Sequence, residues 1–205
     1  MPKLKLAILI SGSGSNLQAI IDACNHVDFP AEISVVISNK ANAYGLVRAK
    51  NAGIPHFVIS HHDFADRLSF DQSLHDIIMR YGAQLVCLAG FMRLITPWFI
   101  DQWHDRMLNI HPSLLPSFKG LHAQQQALNA GVKITGCTVH FVRPEMDSGP
   151  IIMQAAVPII ANDTTESLAA RILIEEHKIY PASISMIAKN KVIVEGERVL
   201  EMSCR

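Results

Sequence analysis

The feature that most constrains this fold is the alternation of apolar, strand-like runs with helical apolar patterns, and it begins at the N-terminus. The run over residues 5–10 is apolar after its lysine and stops at a glycine–serine cluster, residues 11–14. Such a run predicts a strand that is buried on both faces. Beyond the cluster, apolar residues recur at the spacing of one helix face: Leu17, Ile20, Ile21 and Cys24. The N-terminus therefore predicts a strand, a glycine turn and a helix.

The same alternation continues along the chain. It predicts strands over residues 33–37, 56–59, 85–88 and 107–110 and helices over residues 44–52, 74–81 and 123–129. Two late strands flank residues 143–149, and so short a connection leaves no room for a crossover helix, so they are expected to be antiparallel. We therefore predict an α/β fold: a Rossmann-like, doubly wound, mostly parallel mixed sheet of about seven strands with helices on both faces. Residues 1–205 are expected to form a single domain.

The C-terminal part carries a helix signal and a hairpin signal. Asp163 and Glu166 match a capping box, which predicts a helix that runs to about Ile179. Pro181 suits the first turn of a further helical segment. A weak hairpin around Glu195-Gly196 is expected to close the chain.

The charge balance disfavours several classes of partner. The 205 residues carry 18 Lys and Arg against 18 Asp and Glu, so the formal net charge is zero. Without a broad basic field, and with apolar stretches too short to span a bilayer, we expect no nucleic-acid and no membrane partner. The 49% apolar content indicates a large core. Dispersed cysteines predict reduced thiols and a cytoplasmic location: Cys24, Cys87, Cys137 and Cys204.

The loop of residues 11–16 lies between the first strand and the N-terminus of the first helix. Backbone N–H groups and the helix dipole favour an anion there, and a phosphate is the expected ligand. A dinucleotide is less well supported, because Leu17 takes the third glycine position of G-x-G-x-x-G and no acidic residue ends the second strand. A glycine turn that serves only the strand-to-helix geometry is the alternative.

A second polar cluster centres on Asn109 and His111. These residues are two apart in an extended segment, so both side chains face one side. An imidazole suits a proton donor or acceptor near neutral pH, and a side-chain amide can stabilise an oxyanion. Asp147 would keep His111 charged if it lies within about 6 Å. The alternatives are a histidine satisfied by local backbone and an ordinary Asp-Ser-Gly-Pro turn.

The remaining histidines indicate no metal site. Four of them are expected in polar loops or at the surface: His61, His62, His75 and His104. The sequence contains no H-E-x-x-H or comparable ligand set, so we predict no metal. Thr138 and His140 share one face of a predicted strand, which is a candidate active-site face. A buried structural role for His140 is an equally good interpretation.

Five motifs stand in order along residues 5–181: the glycine–serine loop through Ile20, residues 88–93, residues 109–116, Gly120-Leu121-His122, and Asp147-Ser148-Gly149-Pro150. Together they resemble the phosphoribosylglycinamide formyltransferase family of folate-dependent enzymes. The resemblance implies transfer of a formyl group from the co-substrate 10-formyltetrahydrofolate to the amine of glycinamide ribonucleotide, in de novo purine biosynthesis. It makes three residues catalytic: Asn109, His111 and Asp147.

The resemblance also implies a nucleotide-binding N-terminal half and a C-terminal half that binds folate and holds the catalytic residues. For the ribonucleotide it implies Gly14, Ser15 and Asn16 at the phosphoribosyl end, Arg67 at the phosphate and Glu176 at the ribose hydroxyls. For folate it implies Met92, Arg93, Leu94, Ile95, Arg143, Pro144, Glu145, Met146 and Asp147. Plain core packing is the alternative for Phe91, Met92 and Leu94, and both roles are expected to be present.

Other functions share parts of this pattern. A formyltetrahydrofolate deformylase would use the same three residues on water, but it carries a further N-terminal domain, for which no room is expected before Leu4. A methionyl-tRNA formyltransferase has a further C-terminal domain and must bind a polyanion, which the neutral charge disfavours. A non-catalytic folate- or nucleotide-binding protein would not need Asn109, His111 and Asp147. Lacking an obvious exposed apolar stripe, the chain is expected to be a monomer or weak homodimer.

Overall fold

Strands and helices alternate through the first half of the chain. The computed structural model describes residues 2–202, and the chain divides into two compact units between Leu108 and Asn109. The elements of the first unit are β1 Leu4–Ile10, α1 Ser15–Cys24, β2 Ala31–Ser38, α2 Tyr44–Asn51, β3 His56–Val58, a 3₁₀ turn His61–Asp63, α3 Arg67–Arg80, β4 Leu85–Leu88 and α4 Pro97–Gln102. Strand β5, Met107–His111, spans the division.

The first unit is built around β1. Its residues 6–10 are completely buried, and β1 pairs in parallel with β2 on one side and β4 on the other. Burial on both faces explains why this strand reads as a continuous apolar run in the sequence. Helix α4 was not predicted, because its six residues are too few to show a helical period. Its start is nevertheless specified: Thr96 caps it and Pro97 occupies the first turn.

The second unit contains an antiparallel pair and one long helix. Its elements after β5 are α5 Ala123–Asn129, β6 Ile134–Phe141, β7 Ile151–Pro158, α6 Thr165–Ala188, β8 Val192–Glu195 and β9 Arg198–Glu201. The predicted antiparallel pairing of the two late strands, β6 and β7, is confirmed. So is the closing hairpin, which β8 and β9 form.

Helix α6 corrects the predicted helix boundaries. The capping box is formed by Thr164 and Ser167, one residue later than predicted, while Asp163 binds Arg171 instead. The helix also continues through Pro181 to Ala188. An internal proline removes one backbone hydrogen bond. The helix persists because Tyr180 and Ile184, on either side of the proline, are completely buried, and packing outweighs the local propensity.

The predicted fold class is confirmed. Seven strands follow the hydrogen-bonded order β3-β2-β1-β4-β5-β6-β7, with parallel pairs around β1 and the antiparallel pair β6 and β7. The single-domain assignment stays a prediction. Among residues 2–202, no helix is both long and apolar enough to cross a membrane. Cys24, Cys87 and Cys137 carry thiols, and Cys204 lies outside the described residues.

Candidate active site

His111 is the last residue of β5 and is 5% exposed. Its Nδ1 lies 3.3 Å from Oδ2 of Asp147, and its Nε2 lies 2.9 Å from the backbone oxygen of Phe118. A carboxylate and a carbonyl oxygen are both acceptors, so the doubly protonated imidazolium is the form that satisfies both contacts. Each ring nitrogen of His111 is therefore held by a hydrogen-bond acceptor.

Asp147 stands in the turn between β6 and β7, with a left-handed backbone (φ 46°) that Asp adopts more readily than most residues. Its Oδ2 accepts a second hydrogen bond, 2.6 Å from the backbone nitrogen of Gly120. The side chain is 11% exposed. Asp147 and His111 thus lie closer than the separation of about 6 Å at which the carboxylate is expected to act on the imidazole. The carboxylate is also shielded from water.

Asn109 lies two residues before His111 on β5. Its amide nitrogen, Nδ2, is 3.4 Å from Nε2 of His140 on β6. The other ring nitrogen of His140 lies 2.9 Å from the backbone oxygen of Phe141 and 3.1 Å from that of Ser148. Burial lowers the pKa of His140, which favours its neutral form. Asn109, His111 and Asp147 are therefore brought together, with His140 directly beside Asn109.

A hydroxyl group anchors the turn that follows His111. The Thr138 Oγ1 donates to the backbone oxygen of Ser113 at 2.7 Å and accepts from the backbone nitrogen of Leu115 at 3.1 Å. Gln154 donates to the same Thr138 oxygen and to the backbone oxygen of Leu115. Thr138 thus supports the backbone of residues 113–115, which follow His111.

The glycine–serine loop ends at Gly14, which precedes α1 with φ 69°. A Cβ at Gly14 would lie 2.6 Å from the Cα of Gly45 at the start of α2, so only glycine fits there. Asn16, in the first turn of α1, is buried and Ser15 is half-buried. The phosphate expected at this helix start stays a prediction, because a helix N-terminus only favours an anion in general.

Residues 92–95 follow β4 and are unevenly exposed. Met92 is 67% and Leu94 55% exposed, so the core packing expected for these two residues is wrong. Phe91 is buried, as core packing predicts. The guanidinium of Arg93 stacks 4.5 Å above the Phe70 ring. Ile95 is half-buried. Two apolar side chains thus stand in solvent beside a fixed cation.

The backbone of this segment is tethered from within the unit. Met92 donates its backbone N–H to the Ser11 hydroxyl at 2.8 Å, and that hydroxyl donates to Oδ1 of Asn39 at 2.6 Å. Ser11 and Asn39 are both buried. The side chain of Met92 is therefore exposed to solvent while its backbone is held in place.

The predicted loop after β6 is also open to solvent in part. Pro144, Glu145 and Met146 are exposed, and Met146 is 54% exposed. Arg143 is half-buried and donates to the backbone oxygen of Val142. The loop offers exposed groups next to Asp147.

Arg67 belongs to the first unit and Glu176 to the second. Arg67 is the exposed first residue of α3. Glu176 is buried on α6, 7% exposed. Burial, and secondarily the charge of Glu176, raises the pKa of the Cys137 thiol to about 12. The Cys137 thiol is therefore held in its neutral form.

Most of the chain matches the model of one protein family. The family model described as "Formyl transferase" matches residues 4–184. The chain belongs to the formyl transferase family. The human trifunctional purine biosynthetic protein adenosine-3 is 49% identical over 190 residues, which cover 93% of this chain and 19% of the human protein. The chain thus spans about a fifth of the length of that relative.

Relatives of similar length belong to the same family. The phosphoribosylglycinamide formyltransferase of Escherichia coli is 46% identical over 203 residues, which cover 96% of each chain. The crystal structure of glycinamide ribonucleotide transformylase 1 from Symbiobacterium toebii superposes with a TM-score of 0.96 at 49% identity. It covers 98% of this chain and 95% of that one. The resemblance drawn from the sequence motifs is thereby confirmed at the level of the family.

The structure of this formyl transferase family member adds a residue that the sequence did not single out. Arg48 of α2 donates from Nε to the backbone oxygen of Ser13 at 2.9 Å and from Nη1 to Gln18 at 3.1 Å. It is a cation beside the glycine–serine loop, in the unit that carries Gly14. The only sequence signal was a basic residue on the second helix of a βαβ pattern, which is too common to be informative.

His75 lies in surroundings that differ from those expected. His75 is half-buried and packs edge-on against Trp98 and Trp103, with ring centroids 5.5 and 5.9 Å apart. Its expected surface position is therefore wrong, because α3 turns this side chain into an aromatic cluster. Among residues 2–202, no group of three His, Cys, Asp or Glu side chains is arranged to hold a metal ion.

Proposed function

We propose that this chain transfers the formyl group from 10-formyltetrahydrofolate to the amine of glycinamide ribonucleotide, giving formylglycinamide ribonucleotide and tetrahydrofolate in purine biosynthesis. The observation that carries the proposal is the buried contact of 3.3 Å between His111 and Asp147, with Asn109 two residues away on the same strand. Membership of the formyl transferase family supplies the reaction class. Residue roles are part of the proposal.

In the proposed reaction the neutral amine attacks the formyl carbon. A nitrogen–carbon bond forms to the amine, the carbonyl oxygen becomes an oxyanion, and the bond from carbon to the folate nitrogen then breaks. The proton lost by the amine is delivered to the departing folate nitrogen. Asn109 and protonated His111 donate hydrogen bonds to the oxyanion, and Asp147 keeps His111 charged and oriented.

The ribonucleotide is assigned by chemistry. We assign its phosphate to the N–H groups at Gly14, Ser15 and Asn16, since a helix N-terminus stabilises an anion. Arg67 is proposed to reach the phosphate, and its exposure leaves the guanidinium available. Glu176 is proposed to accept hydrogen bonds from the ribose hydroxyls.

Folate is assigned to the two exposed segments. Met92, Arg93, Leu94 and Ile95 are proposed to contact the co-substrate, and the solvent exposure of Met92 and Leu94 supports this assignment. Residues 143–147, which are Arg143, Pro144, Glu145, Met146 and Asp147, are proposed to contact the pterin. We further propose that the reaction needs no metal, that the enzyme is a monomer or weak homodimer, and that it acts in the cytoplasm.

An absorbance assay tests the proposed function. Purified protein is mixed with 10-formyltetrahydrofolate, with and without glycinamide ribonucleotide, and the loss of the formyl group is followed. Deformylation that requires the ribonucleotide supports the transferase. Formate release without it would reassign the chain as a deformylase, and no reaction in either mixture would favour a non-catalytic binding protein.

A further inference from the structure

The ring of His140 is held in one protonation pattern. Its Nδ1 faces two backbone oxygens, those of Phe141 at 2.9 Å and Ser148 at 3.1 Å. Carbonyl oxygens accept hydrogen bonds and never donate them, so Nδ1 must carry the hydrogen. The ring orientation is thus set by the main chain at the start and end of the turn between β6 and β7.

The opposite ring nitrogen is left as an acceptor. His140 is 2% exposed, and burial lowers its pKa. Two charged groups face it with opposite effects: Asp147 raises the pKa and His111 lowers it, each less than burial does. A neutral ring with its hydrogen on Nδ1 has a lone pair on Nε2.

This lone pair points at the Asn109 amide. Nε2 of His140 is 3.4 Å from Nδ2 of Asn109. An amide nitrogen can donate to the lone pair, whereas the amide oxygen in the same place would meet it acceptor to acceptor. The tautomer of His140 therefore decides which end of the Asn109 amide faces β6. One Nδ2–H is used, and the second remains to be donated elsewhere.

A strand irregularity accompanies this contact. The pairing of β6 with β7 shifts between Val139 and His140, where β7 has one extra residue, Ile152. Bulges of this kind re-aim side chains and bend strands beside active sites. The shift in pairing thus falls at His140 itself.

We propose that His140 is a positioning residue, which fixes the Asn109 amide so that its free Nδ2–H is donated to the oxyanion of the reaction. The proposal rests on the proposed function, since it concerns the group that stabilises that oxyanion. His140 itself touches no reacting atom. It acts through Asn109, by excluding the flipped amide that would present oxygen to the developing negative charge.

Two substitutions separate the two ring nitrogens. His140→Asn keeps a donor near the position of Nδ1 and removes the acceptor at Nε2, whereas His140→Gln can place an amide oxygen near Nε2. We expect His140→Asn to lower kcat about 10-fold to 100-fold with KM changed less than threefold, because an oxyanion donor is worth about 10²–10³-fold. His140→Gln should recover most of the loss. Equal losses in both variants would overturn the proposal.

A double-variant cycle tests whether the effect passes through Asn109. In an Asn109→Ala background, adding His140→Asn should lower the residual kcat less than twofold, because the amide to be positioned is already gone. Multiplication of the two separate losses would mean that His140 acts by another route, and would contradict the proposal. Thermal melts of each variant show that folded enzyme is compared.

The tautomer is measured without any turnover. In ¹⁵N-histidine-labelled wild-type protein, two-bond NMR correlations are expected to show His140 with a hydrogen on Nδ1 and none on Nε2; the His140→Gln spectrum assigns the signal. A hydrogen on Nε2 would overturn the proposal. This result is independent of the formyl-transfer assay, so failure of the proposed function is distinguished from failure of the positioning role.

Discussion

Two histidine–aspartate pairs in this molecule have the same nitrogen–oxygen separation and different surroundings. In both, Nδ1 lies 3.3 Å from a carboxylate Oδ2: His104 with Asp105, and His111 with Asp147. Both aspartates also have left-handed backbones, with φ of 53° and 46°. The side chains of the first pair are 58% and 36% exposed, those of the second only 6% and 11%.

The difference shows that two ion pairs of equal separation need not be electrostatically equivalent. Water screens the exposed charges, and pairs of that kind contribute little. Water is largely excluded from the buried pair, which is held by two further contacts, to the backbone of Phe118 and of Gly120. Desolvation together with fixed partners, rather than distance, distinguishes the candidate catalytic pair.

Exchanging each aspartate for asparagine is the strongest test of this comparison. Asn tolerates a left-handed backbone, so both substitutions preserve the turn. We expect Asp147→Asn to lower kcat by about 10²–10⁴-fold, because the carboxylate that faces Nδ1 of His111 and orients its ring is removed. Asp105→Asn is the matched control and should leave kcat within about twofold of wild type. Steady-state kinetics of both folded variants provide the measurement; similar kcat values would remove the distinction between the pairs.

A second matched pair contrasts two glycines. Gly14 and Gly53 have φ of 69° and 68°, but a Cβ at Gly53 would meet nothing within 4 Å. Gly53→Ala should cost about 1–2 kcal/mol of unfolding free energy from backbone strain alone. Gly14→Ala should cost about 1–3 kcal/mol more, because its Cβ collides with backbone. Urea unfolding of both variants measures the difference, and equal costs would show that the contact with Gly45 relaxes freely.

The Asp163–Arg171 pair extends the comparison from rate to stability. The hydrogen bond from Arg171 is the main cause that lowers the pKa of Asp163 from its ordinary 3.8 to about 2. A carboxyl whose pKa is depressed on folding stabilises the fold above its unfolded pKa, and this contribution disappears as the pH falls through 2. Asp163→Asn should therefore reduce stability at pH 6, by an amount that shrinks towards pH 2, with kcat unchanged. Melting curves across this range test it; a constant difference at every pH would exclude the charge as the cause.

The smallest effect is expected at the exposed pair. Removing the charge of Asp105 should change the unfolding free energy by less than about 1 kcal/mol, since solvent screens the contact with His104. Any change should diminish further in 1 M salt. Chemical unfolding at low and high salt measures both quantities. A large, salt-independent loss would show that exposure is a poor guide to the strength of these pairs.

The fold was predictable from the sequence wherever periodicity was strong. Strand β4 and helix α5 begin and end at the predicted residues: β4 is a short run of buried apolar residues, and α5 buries Ala123 and Ala127, which are one helical turn apart. The expected break near Pro181 is wrong, since local propensity favours a break and only the tertiary burial of α6 shows that the helix continues. Short α4 carries too few residues for a pattern.

The candidate site was predictable in its residue types and only partly in its contacts. The spacing of Asn109 and His111 indicated a shared face, but the partners of His111 include the backbone oxygen of Phe118 and those of His140 include that of Ser148. Backbone contacts of this kind depend on loop conformation, which side-chain patterns do not encode. The role of Arg48 was missed for the same reason: it binds a main-chain oxygen of the glycine loop.

The close approach of Gly14 and Gly45 couples the residues that two positions 31 apart in the chain can accept. A Cβ at Gly14 would lie 2.6 Å from the Cα of Gly45, and one at Gly45 would lie 2.5 Å from Cδ1 of Ile10. At Gly14 the obstacle is backbone, whereas at Gly45 the nearest obstacle is the end of the Ile10 side chain, so a larger residue is easier to accommodate at Gly45 than at Gly14. The absence of a side chain at Gly45 is therefore what allows the backbone of Gly14 to approach α2 so closely.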